Sequence, residues 1–289
     1  MKNSHILIAD SGSSKTAWCL LSVESKKMMQ TKGISPYFMT KEQINDALEK
    51  ELFPLLPIET TKISEVYFYG TGLADPQNIH LLKKVLEGTF INSEAYVTHD
   101  MMGAARALCG HEKGIACILG TGSNSCYYNG SKIIKNNPGL GYVLGDEGSA
   151  AILGKKVIQY YLYQTFDEEL KLSFEKEFQT TKEEILFNVY KKPYPNRYLA
   201  SFSYFLYEHR GHYMIENILE DALNDFFFYH VCKYAGSWEY PIHFTGGVAW
   251  AYKDIILELC NTYGMTPGNI IKEPIEGLVS FHKAEMNNS

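Results

Sequence analysis

The stretch His5-Ile6-Leu7-Ile8-Ala9-Asp10-Ser11-Gly12-Ser13-Ser14-Lys15-Thr16 is an apolar run stopped by an acid and followed by a turn of glycine and hydroxyl residues. The run is too short for a secretion signal, and residues 5–9 read as a β-strand. Residues 16–22 are apolar enough to form the strand after the turn. A second start of the same kind lies near Gly114. Residues 115–119 read as a strand, Gly120-Thr121-Gly122-Ser123 as a tight turn and 126–128 as a strand, with Asn129-Gly130 a strong hairpin signal. A shift of 110 positions lays Asp10-Ser11-Gly12-Ser13 over Gly120-Thr121-Gly122-Ser123. A supersecondary unit repeated in one chain predicts two similar lobes.

Working outward, residues 30–33 lead to a turn at Ser35-Pro36, and 41–52 have helical spacing with Ile44, Leu48 and Leu52 on one side. Residues 65–69 form a strand ending in Gly70-Thr71-Gly72, 79–86 a helix, and 95–98 a strand running into His99-Asp100. This alternation predicts an α/β fold with its chemistry in the loops after the strands. Beyond Gly148 the chain reads as mostly helical, over 150–163, 170–178 and a helix opened by the capping box Thr181-x-x-Glu184. A break at 191–198 precedes a long helix over 213–234, with Phe226-Phe227-Phe228-Tyr229 as its core. Residues 242–245 return to strand, end in Gly246-Gly247 and lead into a helix around 250–263.

The 289 residues exceed the usual size of one core, and 45% hydrophobic content with 10 prolines and 23 glycines excludes a disordered or low-complexity chain. A net charge of −6 with no dense Lys/Arg run argues against nucleic acid as a partner. No apolar stretch reaches the roughly 18–20 residues that span a bilayer, so no membrane partner is expected. The six cysteines form no C-x-x-C pair, which argues against a disulfide scaffold or zinc site and for a reduced, cytoplasmic setting. His209-x-x-His212 has metal-like spacing but no third ligand nearby, and reads as a surface pair.

Glycine turns after strands leave backbone N–H groups open to phosphate oxygens. Two such turns carry hydroxyls, Gly12-Ser13-Ser14-Lys15-Thr16 and Gly120-Thr121-Gly122-Ser123-Asn124, and Gly246-Gly247 opens a helix. Each alone is also explained as an ordinary hairpin turn. The Walker pattern G-x-x-x-x-G-K-[ST] is absent, and Gly120-x-Gly122 lacks the third glycine of a dinucleotide fingerprint. Asp10 ends a buried strand, where an acid either binds a cation such as water-bridged Mg²⁺ or accepts turn N–H bonds. Asp100 also ends a strand, placed either to take a proton from a substrate hydroxyl or to cap a helix. Gly139-Leu140-Gly141-Tyr142 and Gly145-Asp146-Glu147-Gly148-Ser149 make a second polar loop before a helix, a candidate substrate loop.

Asp10 to Thr16, Leu119 to Asn124, Gly145 to Ser149 and Thr245-Gly246-Gly247-Val248 stand in one order, followed by Pro274-x-x-Gly277-Leu278. The ordered set resembles the actin/sugar-kinase/heat-shock ATPase superfamily over nearly the whole chain. Within it, the set is similar to the N-acetylglucosamine kinase branch, grouped with the BadF/BadG-type ATPases. The resemblance implies two ribonuclease-H-like lobes (an actin-like ATPase fold), with the ATP site and Mg²⁺ in the interlobe cleft. It implies a first lobe over 1–110, a second over 111–274 and a last helix over 275–289 returning to the first. By that similarity Gly12, Ser13, Ser14, Lys15, Thr16, Gly120, Thr121, Gly122 and Ser123 hold the phosphates, and Gly246 and Gly247 lie against the adenosine. Asp10 holds Mg²⁺ through water and Asp100 is the general base. Ser35, Asn124, Gly139, Leu140 and Asp146 fall to the sugar.

Two positions depart from the family's pattern. Ser35 stands where an Asn usually meets the sugar, and Leu140 where an aromatic residue stands; Ser offers one hydroxyl, and Leu cannot stack on a sugar face as an aromatic ring does. The expected activity is ATP-dependent phosphorylation of a small sugar, most simply an amino sugar such as N-acetylglucosamine. The alternatives are an ATPase that activates a partner reductase, for which Cys117 and Cys126 flank the second turn without forming a cluster motif, and a sugar sensor without catalysis. The family also implies a homodimer.

Overall fold

The computed structural model describes residues 5–12, 14–137 and 139–288, so Ser13 lies outside the described residues. The chain divides into two compact units. The first contains strands β1 (His5–Ser11), β2 (Lys15–Leu21), β3 (Lys26–Lys32), β4 (Ile63–Gly70) and β5 (Glu94–His99). Its helices are α1 (Lys41–Ala47), α2 (Pro76–Thr89) and α3 (Asp100–Cys109). The strand order is β3-β2-β1-β4-β5, with β1 antiparallel to β2 and parallel to β4.

The run Ile6-Leu7-Ile8-Ala9 is apolar at every position because both faces of the sheet are covered. Leu7, Ala9, Trp18 and Leu20 face one way, onto Ile44, Leu48 and Leu52 and onto Leu82 and Leu86 of α2. Ile6, Ile8, Ala17 and Cys19 face the other way, onto Ile275, Leu278 and Val279. The helix expected over 41–52 is α-helical through Ala47 and continues as a π-helical turn, Leu48–Leu52.

The second unit contains β6 (Lys113–Leu119), β7 (Ser123–Asn129), β8 (Ile133–Asn137), α4 (Gly141–Leu144), α5 (Ala150–Leu162), α6 (Glu168–Phe178), α7 (Lys182–Lys191), α8 (Pro195–Ser201), α9 (Tyr204–Glu208), α10 (Tyr213–Tyr229), β9 (Ile242–Thr245), α11 (Gly247–Ala251), α12 (Lys253–Thr262) and β10 (Pro267–Ile271). The last helix, α13 (Ile275–Asn288), belongs to the first unit, together with Gly130–Lys132. The second sheet runs β10-β9-β6-β7-β8, the same topology as the first: three antiparallel strands, then two parallel to the central one.

The repeat is real, and its alignment shifts by two residues. His5–Ser11 and Lys15–Leu21 answer to Lys113–Leu119 and Ser123–Asn129, so Gly12 matches Gly120, and Asp10 matches Ile118. The acid therefore has no counterpart in the second unit.

Other expectations are corrected. The Thr181 capping box forms with both of its hydrogen bonds, but the break after it is shorter than 191–198, because Pro195 starts α8 at a position where its missing N–H is not needed. The long helix stops at Tyr229, and a 3₁₀ turn, Val231–Lys233, follows. Only Phe226 and Phe227 of the aromatic run are buried; Phe228 and Tyr229 are 51% and 50% exposed, since successive helical residues turn by about 100°. The helix expected around 250–263 is two, broken at Tyr252.

Candidate active site

In the first unit the site grows from the β1–β2 turn. Ser11 and Thr16 bury their hydroxyls against each other at 2.7 Å. Ser11 Oγ donates to the Ile34 carbonyl at 2.8 Å, and the Ile34 N–H points back at both hydroxyls, at 3.0 and 3.2 Å. Thr16 Oγ1 also donates to the Lys32 carbonyl at 3.1 Å. The Thr16 side chain thus ties the turn to the chain after β3 from beneath, whereas Gly12 and Ser14 are exposed. The Gly12 N–H closes the turn on the Lys15 carbonyl at 2.9 Å. Lys15 Nζ pairs with Glu273 Oε1, at the head of α13. Ser35 is buried, with its Oγ 3.4 Å from the Thr71 carbonyl.

Asp10, pairing across the sheet with Ala17 and Tyr69, is partly buried, and no turn N–H among the described residues donates to its carboxylate. Burial, then the charges of Asp100 and Glu273, push its carboxyl up to about 7, against the pull of Lys15. Asp100 is not the cap of α3. His99 caps it through Nδ1, which accepts from the Met102 N–H at 3.3 Å, and Asp100 is the first helical residue, its Oδ1 accepting from the Met101 N–H at 2.8 Å. Burial raises Asp100 to about 6, opposed by that backbone hydrogen bond. Two acids raised in this way are suited to holding a cation and to accepting a proton. Among the described residues no three His, Cys, Asp or Glu side chains converge on a metal site.

In the second unit the Gly120 N–H donates to the Gly122 carbonyl at 3.0 Å, and the carbonyls of Gly120 and Thr121 accept from Ala150 and Ala151 at the start of α5. Gly246 brings a second turn against the first. Its φ is +119°, and a Cβ there would lie 2.2 Å from the Leu119 carbonyl oxygen, so only glycine fits. Gly247 opens α11, and a Cβ there would meet open space. Ser123 Oγ and Thr245 Oγ1 are buried without a partner among the described residues, a state that costs about 1–3 kcal/mol per hydroxyl unless a ligand meets it.

The residues of the candidate substrate loop gather beside this turn. Asp146 has φ of +58°, and its Oδ2 would lie 2.9 Å from any Cβ at Gly122, so the carboxylate sits directly on the turn. Burial raises its carboxyl, and the Ser123 backbone hydrogen bond opposes that rise. Gly139 lies close to the Ser123 carbonyl, and Leu140 is 58% exposed. Asn124 Oδ1 accepts from the Ser125 N–H and from Asn136 Nδ2, each at 2.9 Å.

Other candidates have structural partners. His209 packs on Phe205, and His212 caps α10 and lies 3.0 Å from Asp167. No helix among the described residues is long and apolar enough to cross a membrane. The sequence reading missed Ser11, Glu273 and the Glu147–His230 contact. Ser11 and Glu147 lie inside the quoted motifs and Glu273 directly precedes Pro274, but nothing local marks His230.

No family model and no curated protein matches the chain. Among solved structures it is similar to a candidate N-acetylglucosamine kinase from Porphyromonas gingivalis, with 39% identity and a TM-score of 0.93 over 97% of this chain and 99% of that one. A second, from Chromobacterium violaceum, shares the fold at 16% identity and a TM-score of 0.74, covering 97% and 99% of the two chains. A glucokinase of the ROK family from Streptomyces griseus, solved with glucose and AMPPNP, also shares the fold, at 16% identity and a TM-score of 0.54 over 98% and 99%. With two units of one topology, the ordered glycine turns and a full-length relative at this identity, the chain belongs to the N-acetylglucosamine kinase family.

Proposed function

We propose that this protein, an ATP-dependent sugar kinase, phosphorylates a hydroxyl of a small amino sugar such as N-acetylglucosamine. The observation that carries the reading is the pair of raised carboxylates, Asp10 and Asp100, in the unit that bears the exposed Gly12 turn. In this reading Asp100 accepts the proton of the sugar hydroxyl as its oxygen attacks the γ-phosphorus and the bond to the β–γ bridging oxygen breaks, releasing ADP. A carboxyl raised to about 6 is mostly ionised at neutral pH, yet more basic than an ordinary carboxylate.

The phosphates fall to the exposed turn at Gly12 and Ser14, with the Ser14 N–H as its donor, to Lys15, and to the turn at Gly120, Thr121, Gly122 and Ser123. Ser13, outside the described residues, is assigned to the phosphates with them by the family resemblance alone. Thr16 holds that turn in shape, while Gly246 and Gly247 take the adenosine. The orphaned Ser123 and Thr245 hydroxyls favour a polar ligand near these turns. Asp10 suits a hydrated divalent cation: its charge is opposed by two other acids, and with no three-ligand cluster around it among the described residues, contact through water fits better than a cage. When bound, Mg²⁺ would supply neutralisation of phosphate charge. Asn124, Gly139, Leu140 and Asp146 take the sugar, with Ser35.

Cys117 and Cys126 are buried inside β6 and β7, which disfavours a role as ligands to an iron–sulfur cluster and with it the reductase activator. Coupled ADP release over a panel of amino sugars, hexoses and muramic derivatives tests the proposal. Turnover restricted to one or a few sugars is expected, and ADP release indifferent to every sugar overturns it.

A further inference from the structure

One chain of polar contacts, built around a buried histidine outside the residues assigned above, runs to the loop of residues 139–148. His230 follows α10, is 4% exposed and stacks on Phe226 with ring centroids 4.9 Å apart. Its Nε2 lies 2.8 Å from Glu147 Oε2, and its Nδ1 lies 3.3 Å from Asn137 Nδ2. Asn137 Nδ2 also donates to the Tyr229 carbonyl at 2.7 Å, and the Asn137 N–H donates to the Tyr234 hydroxyl at 2.8 Å.

These contacts decide where the hydrogens are. A carbonyl only accepts, so the Asn137 group facing Tyr229 is its NH₂, and the second hydrogen of that group faces His230 Nδ1. Nδ1 is therefore an acceptor, the ring hydrogen sits on Nε2, and His230 donates to Glu147.

Glu147 directly follows Asp146, whose left-handed φ of +58° is uncommon for a residue other than glycine and persists only where its surroundings hold it. One side of that peptide is held by the Asp146 carboxylate, on Gly122 and the Ser123 N–H. The other side is held by Glu147 on His230. We infer that His230, acting through Glu147, is a positioning residue that sets the Asp146 carboxylate for the acceptor sugar; this rests on the sugar-kinase reading above. It accounts for a histidine buried more than eighty residues away in sequence from the loop it fixes.

Three variants of the full chain separate this role from general stability. His230→Phe keeps the ring and its stack on Phe226 but removes the donor. Glu147→Leu removes the acceptor at a partly exposed position, and Glu147→Gln keeps an acceptor oxygen. Steady-state ADP release is measured with the best sugar of the panel and with ATP, each varied separately. H230F and E147L are expected to raise the KM for sugar by about tenfold or more and to move the KM for ATP by less than about twofold, with E147Q within about threefold of wild type. Unchanged sugar KM values in H230F and E147L overturn the inference alone, as does a parallel rise in both KM values. Wild-type protein with no sugar-dependent ADP release overturns the functional reading and this inference together. Should H230F not fold, E147L against E147Q gives the same two answers.

Discussion

Asp100 raises the carboxyl of Asp10, adding to the effect of burial, while Lys15, the cation that counters it, is engaged by Glu273. A buried acid whose ionisation a neighbouring acid disfavours is costly for stability, which makes it a candidate for a chemical role.

Asp100→Asn keeps the size of the side chain and removes its basicity. Nucleotide binding is expected to survive while sugar-dependent transfer falls by about 10²–10⁴-fold. Calorimetry with a non-hydrolysable ATP analogue beside coupled ADP release checks this, and full turnover in the mutant rules out Asp100 as the base.

In the proposed function both raised acids act ionised, so kcat/KM should climb as pH rises through about 6 to 7. Stability moves the opposite way. A carboxyl raised above its unfolded value binds protons more tightly in the native state, so folding weakens as pH rises from about 4 toward 7. Asp10→Asn should therefore raise the melting temperature at pH 8 more than at pH 4, by about 1–2 kcal/mol of added stability at the higher pH. Melts of both proteins at the two values decide the matter, and an equal change at both contradicts the burial of a charged Asp10.

Gly246→Ala meets both an unfavourable φ and the Leu119 carbonyl 2.2 Å from its new Cβ. A loss of about 2–4 kcal/mol is expected, combining strain with displacement of a packed backbone. Gly247→Ala, with open space around it, should cost less than about 1 kcal/mol. Denaturant titration of the pair measures the difference, and equal losses count against the close approach of the two turns.

The aromatic run on α10 offers a direct contrast. Phe226→Ala should lose about 3–5 kcal/mol from the core, and Phe228→Ala no more than about 0.5–1 kcal/mol from its exposed face. Similar losses for both would place Phe228 in the core after all.

The paired strands that open each unit, the glycine turns and the strand–turn–strand repeat were legible in the sequence, because apolar runs and turn residues act over a few positions; the short, more polar edge strands Ile133–Asn137 and Pro267–Ile271 were not. The same locality explains the misplacements. A shift of two residues in the repeat, the stop of α10 at Tyr229 and the outward turn of Phe228 depend on what each segment packs against, not on its composition.

By itself the sequence determined that this is an α/β chain of two related units with glycine-rich turns after their first strands and an acid near the end of β1. Tertiary structure alone decided how those groups behave. Lys15 meets Glu273 across 258 positions, Ser11 reaches Ile34 across 23, and His230 reaches Glu147 across 83. The raised carboxyls of Asp10 and Asp100 follow from burial and neighbouring charge, which no local pattern encodes. Short-range stereochemistry writes the elements into the sequence; desolvation and long-range pairing, which set a group's proton affinity and orientation, exist only once the chain has folded.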